Sequence, residues 1–193
     1  MEKKLLIWSI KGGVGKTNIA TELALRLDLP IITNEPYTTL SVIFDSKRLL
    51  QLKPNEKVPN FNHPMIFDFG GYIDNRIVDV IKQVDVILIP TIPEVTDIQM
   101  LIHTIMEIKE HNSNMAIIVN KYESEKDIES VQDVINKQFN NIPIFAIKKT
   151  RALPNIYVAK KSVKKMMEDS PLLNYSYKKV DKQFDEIVEF LNK

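Results

Sequence analysis

The sequence predicts an α/β fold of three layers: a doubly wound, mostly parallel sheet with helices packed on both faces. Three observations lead there. The apolar runs are short and continuous, as strands buried on both faces require. Between them lie segments with apolar residues at helical spacing. At 193 residues, 44% of them hydrophobic and 26% charged, the chain can bury one sizeable core. No linker, repeat or low-complexity tract divides it, so residues 1–193 are expected to form a single domain.

The elements follow in order. "KLLIWSI" reads as the first strand, with Trp8 as a core residue, and "TNIATELALRL" as a helix with Ile19, Leu23 and Leu27 on one face. "PIIT" is a short second strand. From Tyr37 to His63, with Pro54 and Pro59, the spacing is irregular, and a short helix or an edge strand is expected there. "PMIFDF", "DVILIP", "MAIIVN" and "IPIFAI" are further strands, separated by the helical patterns "NRIVDVIKQV", "VTDIQMLIHTIMEIKEH" and "EKDIESVQDVINKQF". Two helices close the chain, one near Ile156–Glu168 and one near Tyr175–Leu191.

Composition excludes several chemistries. The chain has no cysteine, which removes disulfides, thiolate nucleophiles, zinc–thiolate sites and iron–sulfur clusters. His63, His103 and His111 do not have metal-ligand spacing. A formal net charge of +1 commits the whole molecule to neither nucleic acid nor membrane, so such an affinity must be local. The basic, apolar N-terminus is too short for a secretory segment and runs straight into a glycine-rich loop. The cytoplasm is the expected compartment.

That loop, "SIKGGVGKTN", holds the chemistry. A loop leaving a parallel strand and opening a helix offers unpaired N–H groups and the positive end of a helix dipole to an anion. Gly12, Gly13 and Gly15 let the backbone, including that of Val14, curl around phosphates. Lys16 can reach the β/γ oxygens and the Thr17 hydroxyl can ligate Mg²⁺. The pattern G-x-x-x-x-G-K-[ST] asks for glycine where this chain has Ile10, and a second lysine, Lys11, precedes the glycines.

With "KGGVGKT" the chain resembles the ParA/MinD family of deviant Walker A ATPases. The resemblance implies a P-loop NTPase fold, ATP and Mg²⁺ as ligands, and an ATP-dependent homodimer. Lys11 matches the family's signature lysine, which crosses the dimer interface to the partner's phosphates. "MIFDFGGY" resembles the Walker B strand and switch II: Asp68 would hold the Mg²⁺ shell through water, and Gly70-Gly71 would approach the γ-phosphate. "DVILIPTIPEVTDI" resembles the family's following strand. "AIIVNKYE" puts Asn120 at the position of the adenine contact. Asn18 stands where relatives carry a threonine that donates to the α-phosphate, and an amide can donate as well.

Switch I departs from the family. In "IITNEPYTT", Thr33 and Glu35 replace two aspartates, the second of which orients the attacking water. Glu35 keeps the carboxylate as the catalytic candidate, but its extra methylene shifts it by about an ångström, which can cost on the order of 100-fold in rate. Slow, partner-stimulated hydrolysis is therefore expected, alongside Lys11, Lys16 and Asp68 in the catalytic set. "NKYE" also brushes against the guanine-reading N-K-x-D pattern; the alternative is a helix start with Ser124 as N-cap and Asp127 at N3.

Seven cations lie between Lys148 and Lys165, namely Lys148, Lys149, Arg151, Lys160, Lys161, Lys164 and Lys165, with no acidic residue among them. Lys161, Lys164 and Lys165 are expected on one helical face. Such a cluster suits sequence-independent DNA binding; a solvated lysine face is the alternative. The final helix, with Val180, Phe184, Ile187, Val188 and Leu191 on one side and mixed charge on the other, reads as core packing, so membrane anchoring is not expected. The resemblance thus implies a ParA-like ATPase that dimerises on ATP, binds DNA non-specifically at the nucleoid and positions cargo with a ParB-like or adaptor protein. Opening at its first strand, the chain is expected to be of the kind without an N-terminal DNA-binding extension. A MinD-like membrane-associated ATPase, a small metabolic ATPase on the same scaffold and a hydrolysis-poor ATP-binding module stay open.

Overall fold

A computed structural model describes residues 2–71 and 74–193. Short runs of β-branched and leucine side chains form seven strands: β1 (Lys4–Ile7), β2 (Ile31–Thr33), β3 (Leu49–Gln51), β4 (Met65–Asp68), β5 (Val86–Thr91), β6 (Met115–Tyr122) and β7 (Ile144–Lys148). They make one sheet in the order β3-β2-β4-β1-β5-β6-β7. Every ladder is parallel, so the expectation of a mostly parallel sheet is met in its strict form among the described residues.

Among the described residues, seven α-helices cover the sheet: α1 (Lys16–Leu27), α2 (Ile77–Gln83), α3 (Val95–Lys109), α4 (Glu125–Asn136), α5 (Ala152–Ala159), α6 (Val163–Asp169) and α7 (Pro171–Leu191). The alternation of side chains along each strand decides the layers. Leu5 and Ile7 of β1 join the core under α1, α5, α6 and α7, with Ile19, Leu23, Ile156, Met166 and Phe184. Leu6 and Trp8 point the other way, into the core under α2, α3 and α4, with Val80, Leu101, Ile105 and Val131. The chain winds outward from β1 to β3, returns to β4, then crosses β1 to reach β5. The C-terminal end of β1 is thus the switch point where open α/β sheets bind ligands.

The irregular connection contains both expected pieces, a 3₁₀ turn at Thr39–Val42 and the edge strand β3. The capping box at α4 is present: the Ser124 side chain accepts from the N3 backbone and Asp127 accepts from the Ser124 N–H.

The C-terminal helices need correction. The helix expected over Ile156–Glu168 is two helices. Lys160 takes the left-handed conformation (φ 54°) and its N–H closes α5 on the Ile156 carbonyl at 2.7 Å. Ser162 then opens α6 by accepting the Lys165 N–H at 3.3 Å. Lys161 lies in the link, so it does not share a helical face with Lys164 and Lys165. The last helix also starts earlier than expected, at Pro171, capped by Ser170. Its apolar side, Val180, Phe184, Ile187 and Leu191, is buried in the core.

Candidate nucleotide site and switch

The loop from Trp8 to Gly15 joins β1 to α1 at the switch point. Gly13 (φ 80°) and Gly15 (φ 95°) adopt left-handed backbone, which side chains with a Cβ rarely take. Gly15 is the N-cap of α1, and Val14 is buried beneath it. The Lys16 ammonium folds back along the loop and donates to the carbonyls of Lys11 (2.9 Å) and Ser9 (3.2 Å). Burial lowers its pKa, while the charges of Asp68 and Glu35 pull it upward.

Asp68 ends β4 beside the same lysine. Burial pushes its carboxyl up to about 6; the Thr17 hydroxyl and the Lys16 charge oppose the rise, and Glu35 adds to it. Lys16, Thr17, Glu35 and Asp68 therefore form one electrostatic cluster at the mouth of β1. The buried Asp68 Oδ2 has no hydrogen-bond partner. A buried carboxylate oxygen without a donor, beside a threonine hydroxyl, is a hard-oxygen set that fits Mg²⁺ held partly through water.

Two residues past the fingerprint hold the loop. The Asn120 amide donates to the Val14 carbonyl at 2.8 Å and its oxygen accepts the Lys121 N–H at 2.9 Å. The Lys121 ammonium reaches the Gly13 carbonyl at 3.0 Å. A Cβ at Gly15 would run into the Asn120 amide. Asn120 is thus a buried strut of the phosphate loop, a role its strand-end position alone did not reveal. Glu123, the fourth residue of "NKYE", pairs with Lys149 at 2.6 Å.

Lys11 behaves differently from Lys16. Its ammonium is partly exposed and lies 3.9 Å from Asp97 Oδ2 near the start of α3. Asp97 is buried, accepts from Thr96, and has a second oxygen without a partner. Sequence reading passed over Asp97; its only signal was an acid in the first turn of a helix following "IPE".

The loops that follow β2 and β4 are joined to each other. The Gly70 N–H donates to Asn34 Oδ1 at 2.8 Å, and the Trp8 indole N–H donates to the Gly70 carbonyl at 3.1 Å, both buried. Asn34 also donates to Asp74 at 2.7 Å. The Arg76 fork and Asn34 hold the Asp74 carboxyl down at about 2 against the effect of burial. A Cβ on Gly71 would meet the backbone carbonyls of Ile10 and Ser9, the latter at 2.8 Å. Trp8 is therefore a core residue, as expected, and also a clamp on the loop that follows β4. Asn34 was not singled out by the sequence. The switch II stretch ends at Tyr72, which lies outside the described residues. At the end of β2, the buried Thr33 hydroxyl accepts the Glu35 N–H at 3.2 Å, so it is spent on the backbone. Asn18 is half-buried in the first turn of α1.

All seven cations of the basic segment are exposed. Acids from outside that segment or just past it pair with three of them: Lys149 with Glu123, Lys161 with Asp169 and Lys165 with Glu168, each at 2.6–2.7 Å. Exposed pairs of this kind contribute little and release easily. Among the described residues, no helix is long and apolar enough to cross a membrane.

Comparison with known proteins agrees with this geometry. Residues 5–163 match the profile of the CobQ/CobB/MinD/ParA nucleotide binding domain. No curated protein matches the sequence. Among solved structures, MinD from Pyrococcus horikoshii, complexed with Mg-ADP, is similar with a TM-score of 0.67 at 15% identity, covering 97% of this chain and 98% of that one. Apo McdA from Cyanothece gives 0.66 at 13% identity, over 94% and 99%. A ParA family ATPase from Chlorobium tepidum gives 0.61 at 19% identity, also over 94% and 99%. These likenesses are of fold, and the profile match spans most of the chain. The chain belongs to the CobQ/CobB/MinD/ParA family of nucleotide-binding domains, with the deviant phosphate loop of its ParA/MinD ATPases.

Proposed function

We propose that the chain is a ParA-like positioning ATPase that binds ATP with Mg²⁺, dimerises on it and then holds DNA non-specifically. The observation that supports this best is the division between the two loop lysines. Lys16 is folded into its own loop, whereas Lys11 projects toward α3 and is partly exposed, available to a second copy. In this reading Lys16, Asn18 and the loop N–H groups from Gly12 to Thr17 bind the phosphates, and Asn120 contributes at the adenine side. Thr17 and, through water, Asp68 would hold the metal, which would supply positive charge to the nucleotide phosphates. Glu35 orients the attacking water, and Lys11 of each copy completes the other's site.

Slow turnover fits a switch I in which Thr33 is spent on the backbone and Glu35 is one methylene too long. The seven cations of the basic segment, exposed and lightly paired, suit phosphate backbones at the nucleoid. The buried apolar side of α7 argues against the MinD-like membrane alternative. A ParB-like protein, or an adaptor on another cargo, would stimulate hydrolysis and release the dimer.

The test is DNA retention and sedimentation with ATP, ADP and no nucleotide, on the wild type and Lys11→Ala. The expectation is ATP-dependent dimerisation and retention in the wild type. Lys11→Ala should lose both and keep part of its ATP affinity. Equal DNA retention in all three nucleotide states would sink the switch. A hydrolysis-poor module is favoured instead if ATP drives dimerisation but no phosphate is released in the presence of DNA and partner.

A further inference from the structure

The basic segment is bonded to the phosphate-loop helix through a chain of hydroxyl groups. Thr21, one turn after Thr17 and fully buried, donates its proton to the Thr17 carbonyl at 2.6 Å. Its oxygen is therefore an acceptor, and the Tyr157 phenol of α5 lies 3.1 Å from it. The Tyr157 proton is used on Thr21, which leaves its oxygen to accept. The Thr39 hydroxyl, at the end of switch I, also interacts with the phenol, and Tyr157 is close enough to Asp68 to feel its charge. The direction of donation is fixed from Tyr157 to Thr21 and from Thr21 to the carbonyl of Thr17. A second bond runs parallel, from the Val163 N–H at the start of α6 to Glu22 Oε2 at 2.8 Å.

We propose that Tyr157 is a positioning residue that couples switch I to the basic α5–α6 segment. When switch I rearranges around nucleotide, Thr39 moves relative to Thr21, and the phenol that bridges them carries α5 with it. Arg151 and Lys160 bracket that helix, so the set of the cations changes with the nucleotide. The inference deepens the reading above and rests on its nucleotide site, without requiring that DNA be the anion bound.

The experiment is hydrogen exchange with DNA absent, comparing a non-hydrolysable Mg-ATP analogue with Mg-ADP. In the wild type, amide exchange across residues 152–169 is expected to differ between the two states. Tyr157→Phe should bind a fluorescent ATP analogue within about threefold of the wild type, since the interactions lost are neutral and none is with the phosphate loop's own N–H groups, and the exchange difference should collapse. Thr39→Val should do the same from the switch side, whereas Val158→Ser, on the exposed face of α5, should keep the difference. The proposal is overturned if Tyr157→Phe keeps the wild-type difference, or if the wild type binds both nucleotides yet shows none. It is also overturned if Tyr157→Phe melts far below the wild type and loses nucleotide, which would make the residue a packing element. Failure of the wild type to bind any nucleotide sinks the proposed function itself, and is told apart by the binding assay alone.

Discussion

Single residues at the mouth of β1 are held in states that suit a bound ligand. Asp68 is buried with an oxygen unpaired, and the Thr17 hydroxyl and then the Lys16 charge offset its burial. Lys16→Ala should therefore abolish binding of a fluorescent ATP analogue, a loss of at least about 100-fold if a charge-assisted contact to buried phosphate is removed. Unchanged affinity would remove Lys16 from the site. Trp8 is the one tryptophan, and its indole is bonded to the Gly70 carbonyl of switch II. Its emission is expected to shift when Mg-ATP binds, and to stay constant in Lys16→Ala. Gly71→Ala forces a methyl into the backbone of Ile10 and Ser9, atoms that cannot swing away as a side chain can. It should weaken nucleotide binding and lower the melting temperature, by several degrees for a cost of about 2 kcal/mol; an unaltered melting curve would show that switch II does not pack there in solution.

At the scale of elements, caps and positive-φ residues set boundaries more sharply than hydrophobic spacing does. The break between α5 and α6 is made by Lys160 in the left-handed region and by the Ser162 hydroxyl. Ser162→Ala should cost about 1 kcal/mol, as N-cap losses do, read by urea denaturation. Loss of the α5–α6 break, seen as a gain in helix content, would contradict the cap's role. α7 lies across the core, with Phe184 fully buried, and its truncation to alanine should cost about 3–5 kcal/mol. A value near zero would reopen the possibility that this helix leaves the core.

Across the whole molecule, one buried charge network ties α1 to α6 and α7. Glu22 accepts from Arg26 and from the Val163 N–H, and Arg26 also binds Asp181 and Asp185 of α7. Burial pushes the Glu22 carboxyl up to about 7, more than Arg26 and the Val163 N–H can offset. An unfolded glutamate ionises near 4.5, so between these values the native state holds a proton that the unfolded state has lost. Stability should therefore fall as pH rises from about 4.5 to 7 and level off above. Glu22→Gln should remove that part of the slope, measured as urea midpoints across the range. An identical slope in the variant would show that another group is responsible.

What the sequence determined by itself was everything local. Apolar runs buried on both faces and "KGGVGKT" between a strand and a helix were enough for the three-layer parallel sheet, for the phosphate loop and for the family. The Ser124–Asp127 cap was legible for the same reason, because a capping box closes within four residues. Tertiary structure alone decided the contacts between segments remote in sequence. It set Asn120 under Val14, Asp97 beside Lys11, Asn34 and Trp8 on either side of Gly70, and Tyr157 between Thr21 and Thr39. It also divided the basic segment between two helices and a link, because a residue's spacing predicts its face only while the helix continues. Parallel strands bring together loop ends that are tens of residues apart, and which donor meets which acceptor there depends on sheet order, which hydrophobic spacing does not encode.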